Sequence, residues 1–251
     1  NTQATNPLCV GISNGAIQVS ATGGTGTINY TLLPGGSVNT TGNFPGLSTG
    51  TFTVNAVDAA GCSVSTLLTL NAPNAIVWTL ATSTNITPCN GASNGTITVS
   101  ANGGVGILTY TLNPLSMVNT TGVYTGLGAS VYTVVVSDIN GCTNTTNLTL
   151  TQPAQLFFNA GASIPVTCNG GSNGSLTSHA AGGTGAIQYI LMPGSLSSST
   201  GAYTNLASAN YTITATDANG CTATTLINVA QPTALQFTTF TTSNVACNGG
   251  N

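Results

Sequence analysis

The chain has 251 residues, no Lys or Arg, three acidic residues, one His and a formal net charge of -3. Without cationic side chains it cannot neutralise phosphates or be drawn to anionic lipid, which excludes nucleic acid as a partner and removes electrostatic membrane attachment. The most apolar stretch, NAIVWTLA at 74–81, is too short to span a bilayer, so no membrane insertion is expected, and no signal peptide is legible at Asn1.

Low charge alone would suit a disordered chain, but 41% of the residues are hydrophobic and Val, Ile, Thr and Tyr recur in alternation. That combination can bury a core and reads as a folded β protein. The seven cysteines mark an internal repeat. Cys9, Cys89, Cys168 and Cys247 lie 79 or 80 residues apart, and Cys62, Cys142 and Cys221 each follow one of the first three by 53 residues. The expected domains are therefore 1–73, 74–153, 154–232 and the start of a fourth copy at 233–251, with Cys247 awaiting a mate beyond residue 251 in a longer array.

Within each copy, the first predicted strand follows an SNG triplet: AIQVSATGG, TITVSANGG and SLTSHAAGG. Ile17, Val19 and Ala21 alternate inward against outward Gln18, Ser20 and Thr22. The glycine stretches at 23, 103 and 182 lead into no helix and carry no Lys, so they read as wide hairpin turns and not phosphate loops. The next strand sets Tyr30, Tyr110 and Tyr189 in register on the inward face. A later one carries Phe52, Tyr132 and Tyr211, and the last ends on Leu70, Leu150 and Val229 before Pro73, Pro153 and Pro232. About seven short antiparallel strands in some 80 residues predict an all-β fold: tandem immunoglobulin-like β-sandwich repeats stacked end to end, with an open barrel as the weaker alternative.

All the acidic content, Asp58, Asp138 and Asp217, falls at one place, in VDAAGC, SDINGC and TDANGC. In D-x-x-G the Asp opens a four-residue turn that Gly closes, and its oxygen can accept backbone N–H bonds, so the three are read as structural turn residues. A calcium site would want several carboxylates where each copy offers one. His179 stands at the outward position held by Ser20 and Ser100 and reads as a surface substitution, and Trp78 is solitary. No repeat joins two carboxylates, or a carboxylate and a histidine, and nothing could activate the many hydroxyls. No catalytic residue, cofactor or metal is expected.

With no metal-type cysteine spacing, the cysteines read as disulfides and place the protein outside the cytosol. Pairing within repeats, Cys9 with Cys62, Cys89 with Cys142 and Cys168 with Cys221, is the simplest and slightly favoured. It is geometrically strained, because a strand of roughly 23 Å separates the two positions in an immunoglobulin topology, while disulfide Cα atoms must lie within about 7 Å. Pairing between repeats, Cys9 with Cys142 and Cys89 with Cys221, stays open.

Written out as CNGASNGTITVSANGG, YTL, TGVYTGLGASVYTVVVSDINGC and LTLTQP over 89–153, the repeat resembles the SprB repeat family of giant surface adhesins in gliding Bacteroidota. Val10 departs from the C-N-G start in the first copy. The resemblance implies a cell-surface filament, exported by the type IX system, that grips a substratum during gliding. On that basis the chain is expected to be a stalk segment of an extracellular adhesin filament, its partners the neighbouring repeats of the same chain, lateral filament partners or surface polysaccharide. The alternative is a carbohydrate- or surface-binding module acting by avidity through its Thr, Asn and Gln faces. Outward positions such as Gln18, Thr98 and Thr177 differ between copies, which argues against a repeated specific site, and an ice-binding face fails for the same irregularity. Asn39 and Asn119 open N-x-T sequons that could carry glycan.

Overall fold

The computed structural model describes residues 1–243, and the fourth-copy cysteine Cys247 lies outside the described residues. All regular elements among the described residues are β-strands. They fall in two compact units, one formed by residues 1–85 with 94–151 and the other by 86–93 with 152 onward.

In the first unit, β1 (Thr2–Thr5), β2 (Gly15–Val19), β3 (Asn29–Leu33), β4 (Ser37–Asn39), β5 (Asn43–Leu47), β6 (Gly50–Val57) and β7 (Ser63–Leu70) make one sandwich. Its sheets have the orders β1-β2-β5 and β4-β3-β6-β7, antiparallel throughout. The pattern recurs with β8 (Val77–Thr84), β9 (Gly95–Asn102), β10 (Thr109–Asn113), β11 (Met117–Asn119), β12 (Val123–Leu127), β13 (Ser130–Ser137) and β14 (Thr143–Leu150), in the orders β12-β9-β8 and β11-β10-β13-β14. The second unit holds β15 (Phe157–Ile164), β16 (Gly174–Ala181), β17 (Gln188–Met192), β18 (Leu196–Ser198), β19 (Ala202–Leu206), β20 (Ala209–Thr216) and β21 (Thr222–Val229), in the orders β15-β16-β19 and β18-β17-β20-β21. Seven antiparallel strands split three and four between two sheets are an immunoglobulin-like sandwich, and the chain is a tandem of them.

The period-2 pattern does the folding. In β6, Phe52, Val54 and Ala56 are buried and alternate with partly open Thr53 and Asn55. They join Tyr30 and Leu32 of β3, and across the sandwich Ile17, Val19 and Phe44, in one apolar cluster. The third copy repeats this with Leu176, Tyr189, Leu191, Tyr203, Tyr211 and Ile213.

Tyrosine hydroxyl bonds tie the sandwiches further, one kind in all three copies and a second in two of them. The Tyr30 hydroxyl, on one sheet, accepts the Ala21 N–H from the end of the other at 2.9 Å, and Tyr110 and Tyr189 do the same for Ala101 and Ala180 at 3.1 Å. The Tyr132 and Tyr211 hydroxyls donate to the carbonyls of Gly128 and Ala207, four residues upstream, at 3.1 Å. This is the tyrosine corner of immunoglobulin-like sandwiches. Phe52 forgoes it in the first copy.

The glycine stretches at 23, 103 and 182 are not hairpin turns, as the sequence suggests. They carry the chain from β2 to β3, from β9 to β10 and from β16 to β17, and each pair of strands lies in opposite sheets. Glycine-rich composition reports a reversal needing positive φ, here +87° at Gly23 and +77° at Gly24, but not whether the flanking strands share hydrogen bonds.

Candidate functional site: aspartate loops and cysteine joints

The loop between β6 and β7 is organised by one carboxylate. Asp58 Oδ1 accepts the N–H groups of Ala60 and Cys62 at 3.0 and 2.8 Å, while its own N–H donates to the Cys62 carbonyl at 3.0 Å. Its other oxygen, Oδ2, accepts the Thr25 N–H at 2.7 Å, 33 residues back in the glycine crossover. Asp138 binds Asn140, Cys142 and Val105 in the same way, and Asp217 binds Asn219, Cys221 and Thr184.

The aspartate therefore closes its own turn and also clamps the crossover. A Cβ on Gly24, Gly104 or Gly183 would stand 2.7 to 2.9 Å from the carboxylate oxygen, so the G-G pair is required by this close approach as well as by φ. Local turn chemistry did not reveal this second bond. The constant 33-residue spacing from crossover to Asp in all three copies is the signal that could have.

These N–H donors hold the carboxylate of Asp58 below its ordinary range, Thr25 contributing most and Cys62 next, against an opposing push from desolvation. For Asp217 desolvation is the largest influence and acts upward, but the N–H groups of Cys221, Thr184, Asn219 and Gly220 together outweigh it, and the pKa is again lowered. Each carboxylate's bonds go to backbone amides. Among the described residues no group of three or more His, Cys, Asp or Glu side chains could hold a metal ion.

The same loops present Cys62, Cys142 and Cys221, while Cys9, Cys89 and Cys168 precede β2, β9 and β16. Cys9 is bonded to Cys142 and Cys89 to Cys221, each with Cα atoms 5.6 Å apart, while Cys62 and Cys168 are free and exposed. The within-repeat pairs Cys9 with Cys62, Cys89 with Cys142 and Cys168 with Cys221 are not formed. The reason is strand length. Cys62 sits at the hairpin where Val57 faces Ser63, whereas the chain after Cys9 enters β2 at Gly15, packed against Leu70 at the other end of β7. The eight-residue β7 (Ser63–Leu70) therefore separates the two positions, by roughly 23 Å.

Around the bonds the joint is polar and local. The Asn140 side-chain amide donates to the Leu8 carbonyl at 3.5 Å, and Cys142 Sγ lies 3.2 Å from that oxygen. Asn219 donates to the Pro88 carbonyl at 3.3 Å. The segment carrying Cys89 is itself held down by Asn90 donating to the Pro153 carbonyl at 2.9 Å and by the Gly91 N–H donating to the Gln152 side chain at 2.8 Å.

The remaining singled-out residues are structural in their contacts. His179 is exposed on β16 opposite Ala160. Trp78 is half-buried with its ring centroid 6.2 Å from that of Tyr110, the place Phe158 takes beside Tyr189 at 6.3 Å. Asn39 accepts the N–H groups of Thr41 and Gly42 and donates its amide to the Asn43 carbonyl, and Asn119 does likewise with Thr121, Gly122 and Val123. One N–H of each of these amides is used in an Asx turn. Among the described residues no helix is long and apolar enough to cross a membrane.

Three segments, residues 1–37, 80–117 and 160–196, match the model of the SprB repeat. No curated protein matches the chain. Among solved structures, it is similar to the eight N-terminal immunoglobulin domains of Down Syndrome Cell Adhesion Molecule, at 14% identity over 92% of this chain and 36% of that one, with a TM-score of 0.41. It is similar to a three-immunoglobulin-domain fragment of titin at 12% identity, covering 92% of this chain and 99% of that one, with a TM-score of 0.40. It is also similar to domains 1–6 of the surface layer protein SbsC at 13% identity, covering 93% and 40%, with a TM-score of 0.27. The chain spans about a third of the length of the first of these.

Proposed function

Because this chain is a tandem of SprB repeats, we propose that it is a stalk segment of an extracellular cell-surface adhesin, and that its task is to carry tension from repeat to repeat. Disulfides agree with an oxidising, extracellular location. On this reading the stalk holds an adhesive tip away from the cell, and gliding and type IX export are the roles expected from the family.

The observation that carries the reading is the interleaving of the two disulfides. Cys9–Cys142 and Cys89–Cys221 overlap in sequence, so three stretches of backbone, 9–89, 89–142 and 142–221, run in parallel between two covalent nodes. The shortest stretch limits how far the nodes can be drawn apart. At about 3.4 Å per residue that limit is roughly 180 Å, against roughly 700 Å for the reduced chain between Cys9 and Cys221. A binding module has no need of such a brake.

Single-molecule stretching tests it. With handles outside Cys9 and Cys221, the oxidised protein is expected to stop near the shorter limit and the reduced protein to reach the longer one. Equal extension in both states would refute the tension-bearing role.

A further inference from the structure

We infer that the outer face of each four-stranded sheet is a contact surface for a second copy of this chain, the two chains lying side by side. The inference stands apart from the tension-bearing role, which concerns one chain alone.

Matched rows of side chains cross these faces. In the first copy Leu33 of β3 faces Thr53 of β6, which faces Leu67 of β7. In the third, Met192, Thr212 and Leu226 form the same row across β17, β20 and β21. Leu67 and Leu226 are 68 and 65% exposed, Leu33 and Met192 both 47%. Exposed Val38 and Ile190 lie one row along. In the middle copy the row reads Asn113, Thr133 and Asn147, with sheet order and strand lengths unchanged. The fold therefore does not need apolar side chains at these positions, and grouped apolar side chains held in water mark a surface to be covered. The middle copy has a repeat before and after it in the chain, and still exposes Val118 and Val131 on this face at 61 and 60%.

Some polar groups of the face are already bonded to one another. Thr51 pairs with Thr69, Thr133 with Asn147 and Asn228 with Asn210, each across the two long strands. Covering such pairs strands fewer donors and acceptors than covering hydroxyls that bond only to water.

Charge selects the partner. No strand of these sheets carries a charged residue, and a charged protein would leave its ions desolvated and unpaired against them. A second copy brings no such ions: it has no Lys or Arg, and Asp58, Asp138 and Asp217 are bound into their own loops. Every aromatic side chain of these strands is buried, so a sugar ring has nothing to stack on.

Area sets the valency. With strands of three, five, eight and eight residues, one face covers roughly 400 Å² at about 3.3 Å per residue and about 4.8 Å between strands. A stable interface takes about 800 Å² from each partner. One sandwich falls short, and the linked faces of two or more copies reach it together.

The test is sedimentation equilibrium of the full oxidised chain, with its free thiols alkylated so that no new disulfide forms. Expected is concentration-dependent association that does not weaken as sodium chloride rises, because no ion pair supports it. Leu67→Asn combined with Leu226→Asn places there the residue that the middle copy carries, and should weaken association roughly tenfold or more. Asn147→Leu should strengthen it. Ile139→Asn removes an exposed apolar side chain from a loop off the face and should leave association unchanged. A chain still monomeric at about 1 mM, association that survives the double variant, or an equal loss in Ile139→Asn overturns the inference. Those outcomes leave the extension of a single oxidised chain untouched, so the tension-bearing role stands or falls separately.

Discussion

Tyr110 and Tyr124 are both buried, yet their hydroxyls do opposite things. That of Tyr110 accepts the Ala101 N–H, while those of Tyr124 and its counterpart Tyr203 have no partner. Desolvation first, and the neighbouring tyrosine second, raise the pKa of both unpartnered phenols. Removing an acceptor strands a buried donor, whereas removing an unpartnered hydroxyl strands nothing. Tyr110→Phe should therefore cost about 1–3 kcal/mol in urea unfolding, and Tyr124→Phe should be neutral or stabilising. The acid response belongs to the same scale. Asp58 and Asp217 have folded pKa values lowered from an ordinary 3.8. Their stabilising effect is full above the unfolded value and is lost as pH falls through the folded one. With no Lys, Arg or Glu in the chain, the urea midpoint should be level between about pH 7 and 5 and fall from about pH 4 downward. Asp217→Asn should flatten that fall.

Strand β16 shows what one substitution does to an element. Ser178 occupies the inward position of Val19 and Val99 and is completely buried, its hydroxyl 3.3 Å from the Gly201 carbonyl. That carbonyl also accepts the Ser178 N–H at 2.9 Å, so it would not be orphaned without the hydroxyl. Ser178→Val should stabilise the third sandwich by about 1 kcal/mol through apolar burial, read as a raised melting temperature. The alternation that places Ile17, Val19 and Ala21 inward was legible because the pleat has a period of two residues. The sheet that each strand joins was not legible, since a glycine-rich loop looks alike whether it closes a hairpin or crosses the sandwich. Asp58 could be read as a turn residue for its local bonds, but its bond to Thr25 depends on that crossing.

At the scale of the whole molecule, the near absence of charge leaves exposed faces of hydroxyls and amides. Some of these are paired with each other across strands: Thr51 with Thr69 at 3.3 Å, Thr133 with Asn147 at 2.7 Å and Asn228 with Asn210 at 2.8 Å. A polar surface bonded to itself gains little from a polysaccharide. The purified oxidised protein should be retained on polysaccharide-coated and bare surfaces no better than an unrelated sandwich of similar size, and saturable retention would favour the avidity reading. Each disulfide closes a loop of 132 or 133 residues, worth up to about 5 kcal/mol in lost chain entropy. That matters for small sandwiches, which bury a modest fraction of their surface.

The sequence by itself determined the repeat, the β class, the inward faces of the strands and the position of the Asp turns, because these follow from residue type and spacing along the chain. Only the tertiary structure decided that the Asp carboxylates clamp the glycine crossovers, that Cys9 meets Cys142 and Cys89 meets Cys221, and that Asn39 and Asn119 each use one amide N–H in a turn. Those outcomes depend on which ends of which strands come together. A bond between residues 33 or 133 apart is set by sheet order and strand length, which neighbours along the chain do not encode.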